Sequence, residues 1–272
     1  MNELQDFFVT VARVVEPFNS LFIAIALSSL RLFAAFNLLP AMGEQFIQGY
    51  VRTGTVVVIG AFVAFGLPAD AAAHLSAAQW LGFAVKESMI GLVLGFAASS
   101  VFWVAQSVGA LIDTQAGFNN VQLSNPLSGE SSTPVSNLLL QLVVVVFFQL
   151  GGMLVFIGAV FESFQVWPIF APLPELSKVP DVFLVQQTDS MMASIVKFAA
   201  PILLVLVLID LGFGLVTRTA DKLQPANLSQ PIKGAVTLLL LALLAGVLIT
   251  QVRHLLLPTG LLTQLKASLG VH

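Results

Sequence analysis

Cysteine is absent from this chain, which excludes disulfides, thiolate nucleophiles and cysteine metal sites. Histidine is scarce: His74, His254 and His272 are too scattered to build a dense metal cluster from one local segment. Charge is scarce too. Only 9% of the 272 residues are charged, whereas soluble domains carry roughly a quarter. With 57% apolar residues and a mean hydropathy of +0.96, the composition is that of a membrane protein. A net charge of −3 supplies no basic face for nucleic acid. No GxSxG, P-loop or HExxH pattern occurs, so neither an enzyme nor a cofactor-binding protein is expected. The stretch up to Pro17 is acidic and polar, unlike the basic opening of a cleavable signal peptide.

Six apolar runs fill the rest, at residues 18–39, 54–67, 80–112, 138–160, 191–216 and 235–250. None shows the period-two alternation of a barrel strand, so every run is expected to be helical. The fourth, at roughly 34 Å, is long enough to cross a bilayer as one helix. The second reaches only about 21 Å, short of the ~30 Å hydrocarbon core, and suits a re-entrant segment or one packed inside an assembly. Simple threading puts Arg13, Lys178, Arg253 and Lys266 on one side and Arg52, Arg218, Lys222 and Lys233 on the other. The balance gives no orientation by the positive-inside rule, as expected of a chain that is not a plain serpentine in lipid.

Proline and glycine punctuate the runs. Thr133 before Pro134 predicts an N-cap with proline at the first helical position. Pro201 predicts a kink near Lys197. Pro225 and Pro231 bracket an expected polar turn before the last run. Gly91 and Gly95, followed by Ser99, share one helical face and would let another helix approach closely.

Arg31, Lys86, Glu87, Lys197 and Asp210 lie inside apolar runs, with Asp113 and Glu162 at run ends. A charge in lipid costs about 2.5 kcal/mol or more, so each should face protein or water. Lys86 and Glu87 are adjacent and point about 100° apart on a helix, an arrangement expected to pair poorly. Lys197 and Asp210 stand about 20 Å apart along a straight helix, so each needs a partner on another helix or chain. Two aspartates that each follow Leu-Ile, Asp113 and Asp210, invite comparison with intramembrane aspartyl proteases. The supporting signature is missing: the glycines follow the acid, and the one tyrosine is Tyr50.

The segment 113–133, DTQAGFNNVQLSNPLSGESST, is long for a connecting loop, rich in Asn, Gln, Ser and Gly, and free of cations. Its neutral polar side chains could hydrogen-bond to a passing chain without holding it electrostatically. A plain flexible connector is the alternative.

Lys86-Glu87, Gly91, Gly95, the run Gly109-Ala-Leu-Ile-Asp113-Thr-Gln115-Ala-Gly117, Asn125-Pro126-Leu127, Ser132-Thr-Pro134, and Glu162-Ser163-Phe164 with Trp167-Pro168 together resemble one family. It is the type III secretion export family of the SctT, SpaR, YscT and HrcT proteins, related to flagellar FliR. Gly151-Gly152 and Trp167 look more like the injectisome branch. The resemblance implies an all-α, membrane-associated subunit of one domain, with helical hairpins from about six hydrophobic segments. It would pack into a hetero-oligomeric export gate with SctR/FliP-type and SctS/FliQ-type partners at the bacterial inner membrane, raised toward the periplasm. SctU- and SctV-type proteins would be neighbours, and unfolded polypeptide the cargo. The resemblance also implies a plug-like loop, here Asp113, Gln115, Gly117, Phe118, Asn125 and Pro126. It further implies that Lys86, Glu87, Lys197 and Asp210 make polar contacts between helices or subunits. A self-contained transporter with a site at a broken helix near Pro201 is the competing expectation; a poreless membrane scaffold is a third.

Overall fold

The computed structural model describes the backbone of residues 2–68, 75–118, 123–124, 131–171, 184–219 and 226–256. Asn125 and Pro126 fall outside the described residues, as do Pro172, Pro174 and Pro180. The fold is all-α: α1 (Asn2–Leu38), a 3-10 turn (Pro40–Met42), α2 (Gly49–Phe65), α3 (Ala77–Ala116), α4 (Pro134–Gln149), α5 (Gly152–Val166), α6 (Val185–Thr219) and α7 (Ala226–Leu256). One two-residue antiparallel pairing, Leu123 with Ser132 and Ser124 with Ser131, joins β1 (Leu123–Ser124) to β2 (Ser131–Ser132) between α3 and α4.

Each of the six apolar runs lies in helix, and several boundaries differ from expectation. The fourth run is two helices, because Gly151 adopts φ 71°, a left-handed conformation that glycine takes without a Cβ penalty and that ends α4. α2 begins at Gly49, inside the expected connection. α3 runs on to Ala116, so Asp113 and Gln115 are helical, and the loop starts at Gly117 with φ 81°. α6 passes through Pro201 without a break, which removes the broken helix that a transporter site there would use. Pro231 sits inside α7 instead of closing a turn; proline's fixed φ is helical, and its missing N–H costs one bond near the helix start. At the start of α3, Ser76 and Gln79 form a reciprocal cap: Ser76 N donates to Gln79 Oε1 at 3.0 Å, and Gln79 N to Ser76 Oγ at 3.3 Å.

The chain divides into two compact units, residues 1–98 with 156–176, and 99–155 with 177–272. In the first, α1 and α2 form a hairpin in which Ser28 Oγ donates to Gly60 O at 2.8 Å. α3 lies close along α1: a Cβ at Gly95 would come within 2.7 Å of the Ala35 carbonyl oxygen, and one at Gly91 would meet the Arg31 carbonyl and Ala34. Phe36 stacks on Phe156 with centroids 5.8 Å apart, tying α5 to α1. In the second unit, Val108 and Ile112 of α3, Leu139 of α4, Ile202 and Leu206 of α6 and Leu241 of α7 share one apolar core. Phe102 meets Phe147 edge-on at 5.3 Å.

Among the described residues three helical stretches are long and apolar enough to cross a membrane, Asn19–Leu38, Ala77–Ala116 and Val185–Arg218, and α4 with α5, bent by 71° at their break, would make a fourth if taken as one span. At about 1.5 Å per residue the 40 residues of α3 extend roughly 60 Å, twice the thickness of a hydrocarbon core. Val196, Leu204, Leu208, Leu211 and Leu215 of α6 are each more than half exposed in the isolated chain. Such a face needs lipid or protein against it.

Candidate functional site

Within the first unit three charges carried by apolar runs, Arg31, Lys86 and Glu87, converge. Arg31 on α1 forks onto Glu87 on α3, Nε to Oε2 at 2.6 Å and Nη2 to Oε1 at 2.9 Å. Its Nη1 donates to Ser163 Oγ at 2.9 Å, and Nη2 also donates to Trp167 O at 2.9 Å. The Phe164 ring lies 4.0 Å from the guanidinium carbon. The fork geometry is the one in which an arginine–carboxylate pair is strongest. Lys86 spends its three N–H groups on the carbonyls of Pro168 (2.8 Å), Ile169 (2.6 Å) and Ala171 (3.0 Å).

Lys86 and Glu87 do pair, at 3.3 Å, contrary to the expectation from their neighbouring positions. Both side chains bend toward the same spot, where Arg31 and the turn after α5 meet them, and a lysine stem is long enough to close a 100° separation. Arg31, Lys86 and Glu87 are each at most 1% exposed. Two cations and one anion leave a surplus positive charge, and the three carbonyl dipoles around Lys86 offset it.

The second unit carries the polar residues at the start of the loop. Asp113 is fully buried, and its carboxylate accepts Val135 N at 3.0 Å and Ser136 N at 3.0 Å. These are the second and third amides of α4, so an acid on α3 caps the helix that the loop leads into. Thr133 occupies the N-cap position, with Pro134 following as expected, yet its hydroxyl makes no capping bond. The carboxylate has taken that role. Gly109 fits against the backbone of Val135 and Ser136, and Ser136 Oγ donates to Gln106 O at 2.9 Å.

Gln115, Gly117 and Phe118 instead face α6 and α7. Gln115 Nε2 donates to Asp210 Oδ2 at 2.9 Å, and Lys233 Nζ stands 2.9 Å from Asp210 Oδ1. Asp210 therefore finds its cation on α7 of the same chain. Lys197 is exposed on α6, with no ion pair or hydrogen bond among the described residues. The structure brings together two groups, Lys86 with Glu87 and Asp210 with Gln115, and leaves Lys197 apart from both. Arg31, Ser163 and Lys233 complete these groups. Arg31 stood out as a charge in an apolar run and Ser163 as part of the Glu162-Ser163-Phe164 stretch, whereas nothing in the sequence tied Lys233 to a site. Among the described residues no three His, Asp or Glu side chains are grouped to hold a metal.

A family model described as Bacterial export proteins, family 1, matches residues 22–258 of the chain. The chain is 30% identical to the Yop proteins translocation protein T of Yersinia pestis, over 78% of its own length and 82% of that protein. It is 26% identical to the Surface presentation of antigens protein SpaR of Salmonella typhimurium, over 80% and 81% of the two chains. With the Flagellar biosynthetic protein FliR of Bacillus subtilis the figures are 24% identity, 86% and 90%.

Proposed function

The chain belongs to the bacterial export proteins of family 1, and from that premise we propose that it is a structural and gating subunit of a type III protein-export gate. It assembles at the bacterial inner membrane with SctR/FliP-type and SctS/FliQ-type partners, beside SctU- and SctV-type proteins, around a pore for unfolded polypeptide. The match over residues 22–258, together with a relative named for the translocation of Yop proteins, carries this reading.

The exposed apolar face of α6 supports an assembled subunit, because it must be covered by neighbouring helices or lipid. The length of α3 supports a subunit that extends beyond the bilayer, and the proposal puts that extension on the periplasmic side. The loop beginning at Gly117, including Phe118, Asn125 and Pro126, closes the pore, with Asp113 and Gln115 as its helical root. Neutral polar side chains suit a plug that must let varied sequences pass. The buried group of Arg31, Glu87 and Lys86 ties α1, α3 and the turn after α5 together within the first unit, and exposed Lys197 is left to contact a partner. The subunit performs no chemistry; energy enters elsewhere in the machine. Removing residues 119–130 from the assembled complex tests the gate role: ions should leak through it, and an unchanged conductance would remove that role.

A further inference from the structure

α7 presents Gln230, Lys233 and Gly234 at positions i, i+3 and i+4, which share one helical face. Each meets a different piece of the segment leaving α3. Gln230 Nε2 donates to Gly117 O at 2.8 Å, and Lys233 Nζ donates to Gln115 O at 2.9 Å. The Phe118 ring rests over Gly234, where a Cβ would come within 3.2 Å of its Cζ. The last carbonyls of an α-helix have no partner within the helix. Here α7 supplies donors beside them, and a cation at that end also complements the helix dipole.

Asp210 keeps Lys233 in place. Its carboxylate pairs with Nζ at 2.9 Å and accepts Gln115 Nε2 at 2.9 Å and Ser229 Oγ at 3.3 Å. The two ends of the loop are therefore held unequally. The α4 end hangs on the fully buried Asp113. The α3 end hangs on a pair in which the lysine is 13% and the aspartate 38% exposed. Partly exposed pairs are weak and easily exchanged for water or another partner.

We propose that Lys233, with Gln230 and Gly234, is a positioning residue for the gate: a latch that fixes where the loop leaves α3, with Asp210 setting its register. Its consequence rests on the gate reading above. With the latch closed, Gln115, Gly117 and Phe118 keep a fixed course off the end of α3, so α7 sets where the gate begins.

Hydrogen–deuterium exchange on the purified assembly tests the latch apart from any conductance. In Lys233→Met, exchange in the peptide covering residues 114–118 should rise roughly tenfold, as expected when a helix end loses a charged donor and its ion pair. A peptide covering residues 135–147 of α4 should keep its protection. Lys233→Arg should restore most of the protection, because a second cation can reach the same acceptors. Should Lys233→Met fail to assemble, Gln230→Ala, on an exposed position, should still raise exchange at residues 114–118 by about two- to threefold. Unchanged exchange at 114–118 in the assembled variants, or an equal rise in α4, overturns the latch. The loop deletion judges the gate role separately, since it leaves α3, α6 and α7 intact.

Discussion

The Asp113 carboxylate accepts the backbone amide of Val135, 22 residues further along the chain, at 3.0 Å. One side chain thereby closes the base of the polar loop and caps the helix beyond it. The exit of the loop is anchored in the protein core, and what the loop does must be done by the chain in between.

Asp113→Ala should leave two amides of α4 buried without acceptors. The expected cost is about 2 kcal/mol, within the range for unsatisfied buried donors. Asp113→Asn keeps one carbonyl acceptor of similar shape and should cost about 1 kcal/mol. Thermal midpoints of the purified assembly should fall in the order wild type, Asn, Ala. Equal midpoints for wild type and Ala would show that the cap contributes nothing.

The buried charges of the first unit should respond unequally. Glu87→Gln leaves Arg31 and Lys86 facing one another without an anion, so it should be the worst single change, at about 3–5 kcal/mol. Lys86→Met preserves the Arg31–Glu87 fork and removes the surplus charge, at the expense of three carbonyl bonds, and should cost less. The double variant Arg31→Met with Glu87→Met should be milder than the sum of its singles, because the fork is removed whole and the remaining cation, Lys86, keeps its three carbonyl acceptors. Steady-state level and thermal midpoint both report the order; a Lys86→Met protein weaker than Glu87→Gln would refute it.

Glycine 95 and glycine 158 give a paired test of packing. A Cβ at Gly95 meets the Ala35 carbonyl oxygen at 2.7 Å, while one at Gly158 meets nothing within 4 Å. Gly95→Ala should force α1 and α3 apart and cost about 1–3 kcal/mol as overpacking does. Gly158→Ala, in the interior of α5, should be neutral or stabilising by up to about 1 kcal/mol. Protease resistance of the membrane-embedded protein ranks the two.

Much of the helical layout was legible in the sequence, because long apolar runs in a low-charge chain leave few other folds. The breaks were less so. Gly151 stands just beyond Gln149 and Leu150 and forms with Gly152 a glycine pair that marks a turn, but the charge-free run around it reads as one span. Pro231 looks like a stop and is carried inside α7. The charges were legible as isolated anomalies, while their pairing was not: Arg31 and Glu87 are 56 residues apart, and only the fold brings them to 2.6 Å. Lys233 reads as a loop cation because Pro231 looks like a stop just before it; in α7 it faces Asp210. The alternation between Ser76 and Gln79 was a readable capping signal that the apolar run overshadowed.

The gate role is tested most directly by ion conductance of the assembled complex in a planar bilayer, with and without residues 119–130. With the loop present the resting complex should pass almost no current, and with it removed the current should become steady and voltage-independent. A deletion complex that assembles fully and stays as tight as the intact one would contradict the account.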